Sequence, residues 1–251
     1  MVAPAWSIPE GPKVMVGILH TGVVSLDWAR ALRDLQLPAG TAFTFSSHWP
    51  YDVSRNKICE AALDHHCEWL LFLDSDVVPP PDTVIRLMAH NLPIVQGLYF
   101  SKVGQHFPLV MRRTPQPGPD GKMQNVFAAL EFPQGSMVAV DTVATGLLLL
   151  HRRVLKAFKD AGVPWFTWTM GRKTARAQLD VSEQELDLLG IHVRFADSRA
   201  KKALDKVVRG LRDEPTEEGL SEDFMFGVKA KAMGFPLIVD TSVRADHVTQ
   251  A

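Results

Sequence analysis

Cysteine is scarce in this 251-residue chain: Cys59 and Cys67 are its only two. The residues around them have helix-forming composition. On a helix their eight-residue separation sets them about 12 Å apart by rise alone, too far for a disulfide. A pair of free thiols in a reducing compartment is expected, which excludes the disulfide-stapled secreted class. Long apolar runs are lacking as well. Stretches such as 147–150 fall far short of the roughly 20 residues that cross a bilayer. Residues 1–12, MVAPAWSIPEGP, carry neither the basic flank nor the apolar core of a secretion signal, so a cytoplasmic location is expected. Charge of one sign is also missing: 27 Lys and Arg stand against 28 Asp and Glu, a net charge of −1. No whole-molecule field draws the chain to nucleic acid. There is no internal repeat, no Walker loop, no dinucleotide fingerprint and no nucleophile elbow. CEAALDHHC (59–67) looks like a zinc cluster. On a helix, however, Cys59 and His66 lie about 10 Å apart along the axis, whereas zinc holds ligands at about 2.0–2.3 Å.

What is present is the balance of a globular protein with a sizeable core, 46% hydrophobic and 22% charged. The hydrophobic pattern alternates between strand and helix. KVMVGILHTG (13–22) reads as a buried strand running into a loop, and TAFTFSS (41–47) as a second strand. A helix over 52–68, capped by Asp52, leads to the strand WLLFL (69–73). Helix 82–90, whose first turn suits Pro81 and Asp82, is followed by the strand PIVQGLYF (93–100). Later come the strands FPLVMRR (107–113) and MVAVDTVATGLLLLH (137–151), a turn at PQPGPDG (115–121), and a helix over 152–160. LSEDFMFGVKAKAMG (220–234) reads as an amphipathic helix packing through Phe224, Val228 and Ala232, before the strand PLIVDTSV (236–243). The expectation is an α/β fold: a Rossmann-like, mostly parallel sheet flanked by helices, with a mixed α/β second half. One domain, 1–251, is expected, with a nucleotide-binding half over 1–100 and an acceptor half over 101–251.

The sharpest feature is WLLFLDSDVVPPP (69–81), an apolar run that delivers Asp74 and Asp76 into three prolines. Ligands in open α/β sheets bind beyond the carboxyl ends of the strands. On an extended strand both carboxylates point to one side. At roughly 5 Å they would repel by about 3 kcal/mol at an effective dielectric of 20. A divalent cation, a basic partner or a shared proton must compensate. Hard oxygen ligands favour Mg²⁺ or Mn²⁺, which commonly bring phosphates with them. FLDSDVV also fits the dehalogenase-type phosphatases, with Asp74 as the nucleophile. That chemistry needs a later acidic pair, for which Asp240 and Asp246 are the nearest candidates.

Four stretches in order, SRN (54–56), LLFLDSDV (70–77), ATGLLLLHRRVL (144–155) and SEDFMFGVKAKAMGFPLIVDTSVRADH (221–247), resemble the GT-A glycosyltransferases, particularly family 2-like members. The likeness extends over most of the chain. It implies a metal-dependent transfer of a sugar from a nucleoside-diphosphate sugar, by default a UDP-sugar with GDP-mannose as the other choice, to an acceptor hydroxyl. It further implies that Asp74 and Asp76 bind Mn²⁺ or Mg²⁺ and the diphosphate, with His247 completing the metal shell. Asp223 is then the general base, beside Glu222. Thr21, Gly22, Arg55, Ser75 and Gly146 fall on the nucleotide-sugar side. A nucleotidyltransferase and a non-catalytic sugar-nucleotide binding module are the other readings.

Arg55 and Lys57 sit in the first turns of their helix, where the macrodipole disfavours cations. Removing Arg55 is therefore expected to leave stability nearly unchanged, since the penalty it relieves is only about 0.3–1 kcal/mol. A basic excursion over 171–212 has no counterpart in the resemblance. It suits a solvated helix, or a cover for an anionic acceptor, nucleic acid or a peripheral membrane contact.

Overall fold

The computed structural model describes residues 13–47, 50–102, 107–118, 121, 123–168 and 220–248. The basic excursion at 171–212 lies outside them. The elements run β1 (Val14–Leu19), α1 (Leu26–Asp34), β2 (Ala42–Ser46), α2 (Tyr51–Asp64), β3 (Trp69–Asp74), β4 (Val77–Val78), α3 (Thr83–Ala89), β5 (Ile94–Leu98), β6 (Met111–Pro117) and β7 (Met123–Ala129). After these come β8 (Met137–Ala139), β9 (Leu147–His151), α4 (Arg152–Asp160), α5 (Glu222–Ala232), β10 (Ile238–Arg244) and β11 (Asp246–His247). A seven-stranded sheet has the order β2-β1-β3-β9-β5-β10-β8. β1, β2 and β3 are parallel, β9 runs against β3 and β5, and β10 returns parallel to β5 with β8 antiparallel at the edge. All but β8 and β9 therefore point the same way, and their carboxyl ends gather at one rim. β6 and β7 form a separate hairpin.

The apolar runs are continuous because both faces of the sheet are covered. Along β3, Leu70 and Phe72 join the core beneath α2, α4 and α5, with Ile58, Leu155 and Phe226. Trp69, Leu71 and Leu73 join the opposite core, beneath α1 and α3, with Trp28, Val84 and Leu87. β1 alternates in the same way, and Gly17 makes room for α2. A Cβ there would come within 2.3 Å of Ile58 Cγ2.

Several expectations need correction. The stretch 137–151 is two strands, not one: β8 pairs with β10 at the sheet edge, while β9 lies between β3 and β5. The first helix of the pair α1/α2 goes unread in the sequence because it buries Trp28 alone. Helix α2 ends at Asp64, its N-cap is Pro50 and no side chain caps it. Asp52 instead accepts a hydrogen bond from Val53 N (2.9 Å) within the first turn. Helix α5 buries Glu222, Met225, Phe226, Gly227, Lys229 and Ala230, whereas Ala232 is exposed and Phe224 and Val228 are half-buried. Both cysteines are free and buried. Among the described residues no helix is long and apolar enough to cross a membrane.

Candidate functional site

Register builds the site. Leu19 pairs with both Ser46 and Asp74, so the ends of β1, β2 and β3 stand side by side. Beyond them opens a cleft of about 350 Å³. Its floor is Leu19, His20 and Thr21 after β1, Ser46 and Ser47 after β2, and Asp74, Ser75 and Asp76 after β3. Helix α2 adds Tyr51, Ser54 and Arg55, and the start of α5 adds Ser221, Glu222 and Asp223. Trp168, 49% exposed, completes the wall.

The backbone of the Asp-Ser-Asp turn is held from three sides. Asp74 N donates to Gly146 O (3.0 Å), Ser75 N donates to Leu19 O (3.1 Å), and Trp28 Nε1 donates to Asp74 O (2.9 Å). Asp74 continues the pleat of Leu70 and Phe72, so its side chain faces α2. There Arg55 Nη1 and Nη2 donate to its two oxygens at 3.2 and 3.1 Å. The strand ends at Asp74, however, and Ser75 and Asp76 form a turn. The two carboxylates therefore do not share a partner, as an uninterrupted pleat would require. Asp76 is aimed at Lys102, whose Nζ lies 2.6 Å from Oδ2, and at His247, whose Nε2 lies 3.5 Å from Oδ1. Each acid has its own cation, which answers the repulsion expected of the pair.

His247 comes to Asp76 through strand pairing. β11 runs antiparallel to β4 with His247 opposite Val77, the residue after Asp76, and Val248 N donates to Asp76 O (2.9 Å). His247 Nδ1 lies 2.5 Å from Phe100 O. A carbonyl can only accept, so Nδ1 carries the hydrogen of that contact, and Nε2 is the ring nitrogen that faces Asp76. Although burial alone would raise the Asp76 carboxyl, its contacts with His247 and Lys102 hold it below the usual range.

Arg55 is 4% exposed. Besides Asp74 it reaches Glu222 Oε1 through Nε (3.4 Å), and its guanidinium lies over the Phe72 ring at 5.5 Å. Burial on its own would lower its pKa, but Asp74, Glu222 and Asp223 together raise it further above the ordinary arginine value. Arg55 is thus the internal bridge between the end of β3 and the start of α5, not a cation reaching for water. Its neighbour Asn56 clamps Phe166, donating from Nδ2 to Phe166 O (2.8 Å) and accepting from Phe166 N at Oδ1 (2.9 Å). Phe166 stacks on Phe226 of α5, with ring centroids 4.8 Å apart. Of SRN, Ser54 and Arg55 line the cleft, and Asn56 holds Phe166 behind it.

Burial raises the Asp223 carboxyl above the usual aspartate range, against the pull of Ser221 and Arg55. Glu222 is raised for the same first cause, with the charge of Asp223 adding to it. Asp223 Oδ1 accepts from Ser221 Oγ and from Phe224 N, leaving Oδ2 as the oxygen with no hydrogen bond among the described residues. Paired carboxyls with raised pKa values at a cleft are the arrangement expected of a general base and its neighbour.

Among the candidates, Thr21, Arg55, Asp74, Ser75, Asp76, Glu222 and Asp223 line the cleft; Gly22, Gly146 and His247 do not. Gly22 sits at φ +100° and donates from N to His20 Nδ1 (3.1 Å), a turn that a side chain would strain. Gly146 lies behind Asp74, where a Cβ would come within 2.8 Å of the Tyr99 hydroxyl that accepts from Gly146 N. Sequence reasoning missed His20, Ser46, Tyr51 and Trp168. The strand-end rule reaches His20 and Ser46, but nothing local marks Trp168 or Lys102. Asp240 and Asp246 do not join Asp74: Asp240 pairs with His90 on the α3 side (2.8 Å), and Asp246 is exposed on β11.

Among the described residues no three His, Cys, Asp or Glu side chains form a group that could hold a metal. Asp76 and His247 fit a divalent cation as two ligands, a carboxylate oxygen and an imidazole nitrogen whose other nitrogen is fixed by a carbonyl. Asp74 has both oxygens on Arg55.

No protein-family model matches the chain, and no curated protein matches it. Solved structures do. A197 from STIV superposes with a TM-score of 0.53 at 17% identity, covering 95% of this chain and 86% of that one. A crystal structure of GalNAc-T7 with UDP, GalNAc and Mn²⁺ gives 0.49 at 10% identity, over 95% of this chain and 44% of that one. A glycosyltransferase involved in glycosylating the major capsid of PBCV-1 gives 0.31 at 16% identity, over 78% and 100%. The likeness to A197 and the seven-stranded, mostly parallel sheet bear out the expected α/β, GT-A-like fold class.

Proposed function

We propose that this chain is a glycosyltransferase of the family 2-like kind, a single domain over 1–251 that moves a sugar from a nucleoside-diphosphate sugar to an acceptor hydroxyl. The observation that carries the reading is the meeting of two acidic pairs, Asp74 with Asp76 and Glu222 with Asp223, in one cleft at the carboxyl ends of the strands. The four carboxyls outnumber the one guanidinium on that lining, so an anionic diphosphate is repelled unless a cation accompanies it. Asp76 and His247 would hold Mn²⁺ or Mg²⁺, which when bound neutralises the charge developing on the diphosphate leaving group. Arg55 fixes the direction of Asp74 and ties it to Glu222, keeping donor side and acceptor side in one geometry. Asp223, through Oδ2, takes the proton of the attacking hydroxyl, and burial keeps that proton affinity high, with the charge of Asp74 adding to it.

The dehalogenase-type alternative is disfavoured, because both oxygens of Asp74 are engaged by Arg55 and the later acids that it calls on, Asp240 and Asp246, lie away from the cleft. UDP-sugars are the first donors to test and GDP-mannose the next. A thermal-shift panel of UDP, GDP, CDP and their sugars, with and without Mn²⁺, tests the reading. Stabilisation by one nucleoside diphosphate and its sugar in Mn²⁺ is the expected result, and no response to any of them contradicts it. Release of pyrophosphate in place of a nucleoside diphosphate would make the chain a nucleotidyltransferase; binding without turnover would make it a binding module.

A further inference from the structure

We infer that Lys102 is the resident counter-cation of Asp76, which a divalent metal must displace, and that the displaced ammonium then binds the diphosphate. The inference rests on the glycosyltransferase reading for its second half only. Lys102 Nζ sits 2.6 Å from Asp76 Oδ2, while Oδ1 faces His247 Nε2 at 3.5 Å. The one carboxylate suited to a metal is therefore already balanced by an ammonium in the chain by itself. A metal entering between Asp76 and His247 takes over the charge that Lys102 now balances. Two cations so close repel each other, so the ammonium leaves the carboxylate. Its side chain is about one quarter exposed, 27%, and flexible, with three donors and no acceptor. A phosphate oxygen of a donor bound in the cleft that Asp76 lines is the anion it would then take. Lys102 thus keeps Asp76 from binding metal idly and strengthens the site once donor and metal are both present. Asp74 needs no such device, since Arg55 is buried and fixed.

The test uses Lys102→Met and Lys102→Arg in the full chain, with the melting temperature checked first. Mn²⁺ binding without nucleotide is followed by loss of the free-ion electron paramagnetic resonance signal, and UDP, GDP and CDP affinity in saturating Mn²⁺ by calorimetry. Lys102→Met is expected to bind Mn²⁺ tighter, and nucleoside diphosphate weaker, each by about ten- to hundredfold, the worth of one charge-assisted hydrogen bond. Lys102→Arg should stay near wild type in both, and Asp76→Asn should lose the gain in Mn²⁺ affinity when combined with Lys102→Met. Unchanged Mn²⁺ affinity in Lys102→Met, or no Mn²⁺ binding by either protein, overturns the proposal. Undiminished nucleotide affinity overturns the phosphate role. If wild type itself binds none of UDP, GDP and CDP, the glycosyltransferase reading fails, while the Mn²⁺ comparison still decides whether Lys102 guards Asp76.

Discussion

Arg55 grips both oxygens of Asp74, at 3.2 and 3.1 Å, from a position inside the protein and not from its surface. Its removal strands Asp74 and the buried Glu222 without their shared cation. Arg55→Ala is therefore expected to destabilise the fold by about 3–5 kcal/mol, the usual result of breaking a buried pair from one side. This corrects the expectation of a nearly silent change drawn from the helix dipole alone. Urea denaturation checks it; an unshifted midpoint would mean that the bridge contributes nothing.

The crowd of carboxylates predicts metal dependence. Nucleoside diphosphate affinity should fall sharply in EDTA, and Asp76→Asn should reproduce the fall with Mn²⁺ present. His247→Ala should raise the Mn²⁺ concentration needed for half-maximal nucleotide binding. Affinity that ignores EDTA would remove the metal from the account.

Lys229 makes a separate prediction about stability. It is 4% exposed, and its ammonium donates to Pro164 O (2.6 Å) and Thr167 Oγ1 (3.2 Å), tying down the segment that carries Trp168. Burial lowers its pKa from 10.5 to about 7. The folded state then binds fewer protons than the unfolded chain between those values, so stability should rise with pH across the window from about 7 to 10.5. Below it both states hold the proton and the slope vanishes. Lys229→Met should flatten that rise in urea titrations at several pH values; a slope that survives the substitution belongs to another group.

Activity should carry the mark of the raised Asp223 carboxyl. A general base works ionised, so the rate should climb with pH along a limb lying above the ordinary aspartate range, as the Glu222–Asp223 pair gives up its proton. The folded state also holds that proton more tightly than the unfolded chain. Its contribution to stability is thus full below the unfolded pKa and lost as pH rises through the folded one. A rate profile with its limb at the ordinary aspartate value would contradict the assignment.

The sequence made the place of the site legible and left its wiring hidden. An unbroken apolar run ending in Asp74 can only be a strand covered on both faces, so its carboxyl end had to meet a loop region. Helix 152–160 was equally plain, because its apolar stripe and its preceding strand agree. The divergence of Asp74 and Asp76 was not readable: it depends on the strand stopping one residue before Ser75, and period-2 logic has no term for that. The buried face of α5 was misread because Lys229 lies in it, and a lysine in the sequence signals solvent until a carbonyl and a hydroxyl are found to receive it. Lys102 and Trp168 reach the site from segments with no motif, through contacts only the folded chain creates.

The central claim is that Asp223 is the base of a sugar transfer whose donor is held elsewhere in the same cleft. Asp223→Asn keeps the shape and the hydrogen bond from Phe224 N to Oδ1, but its amide cannot take the hydroxyl proton. Donor affinity by calorimetry and nucleoside diphosphate release by a coupled assay should be measured on this one variant. The account predicts near-normal affinity with release slowed by ~10²–10⁴, the worth of a positioned base lost from the transition state alone. Release at the wild-type rate, or donor binding lost together with it, would contradict it.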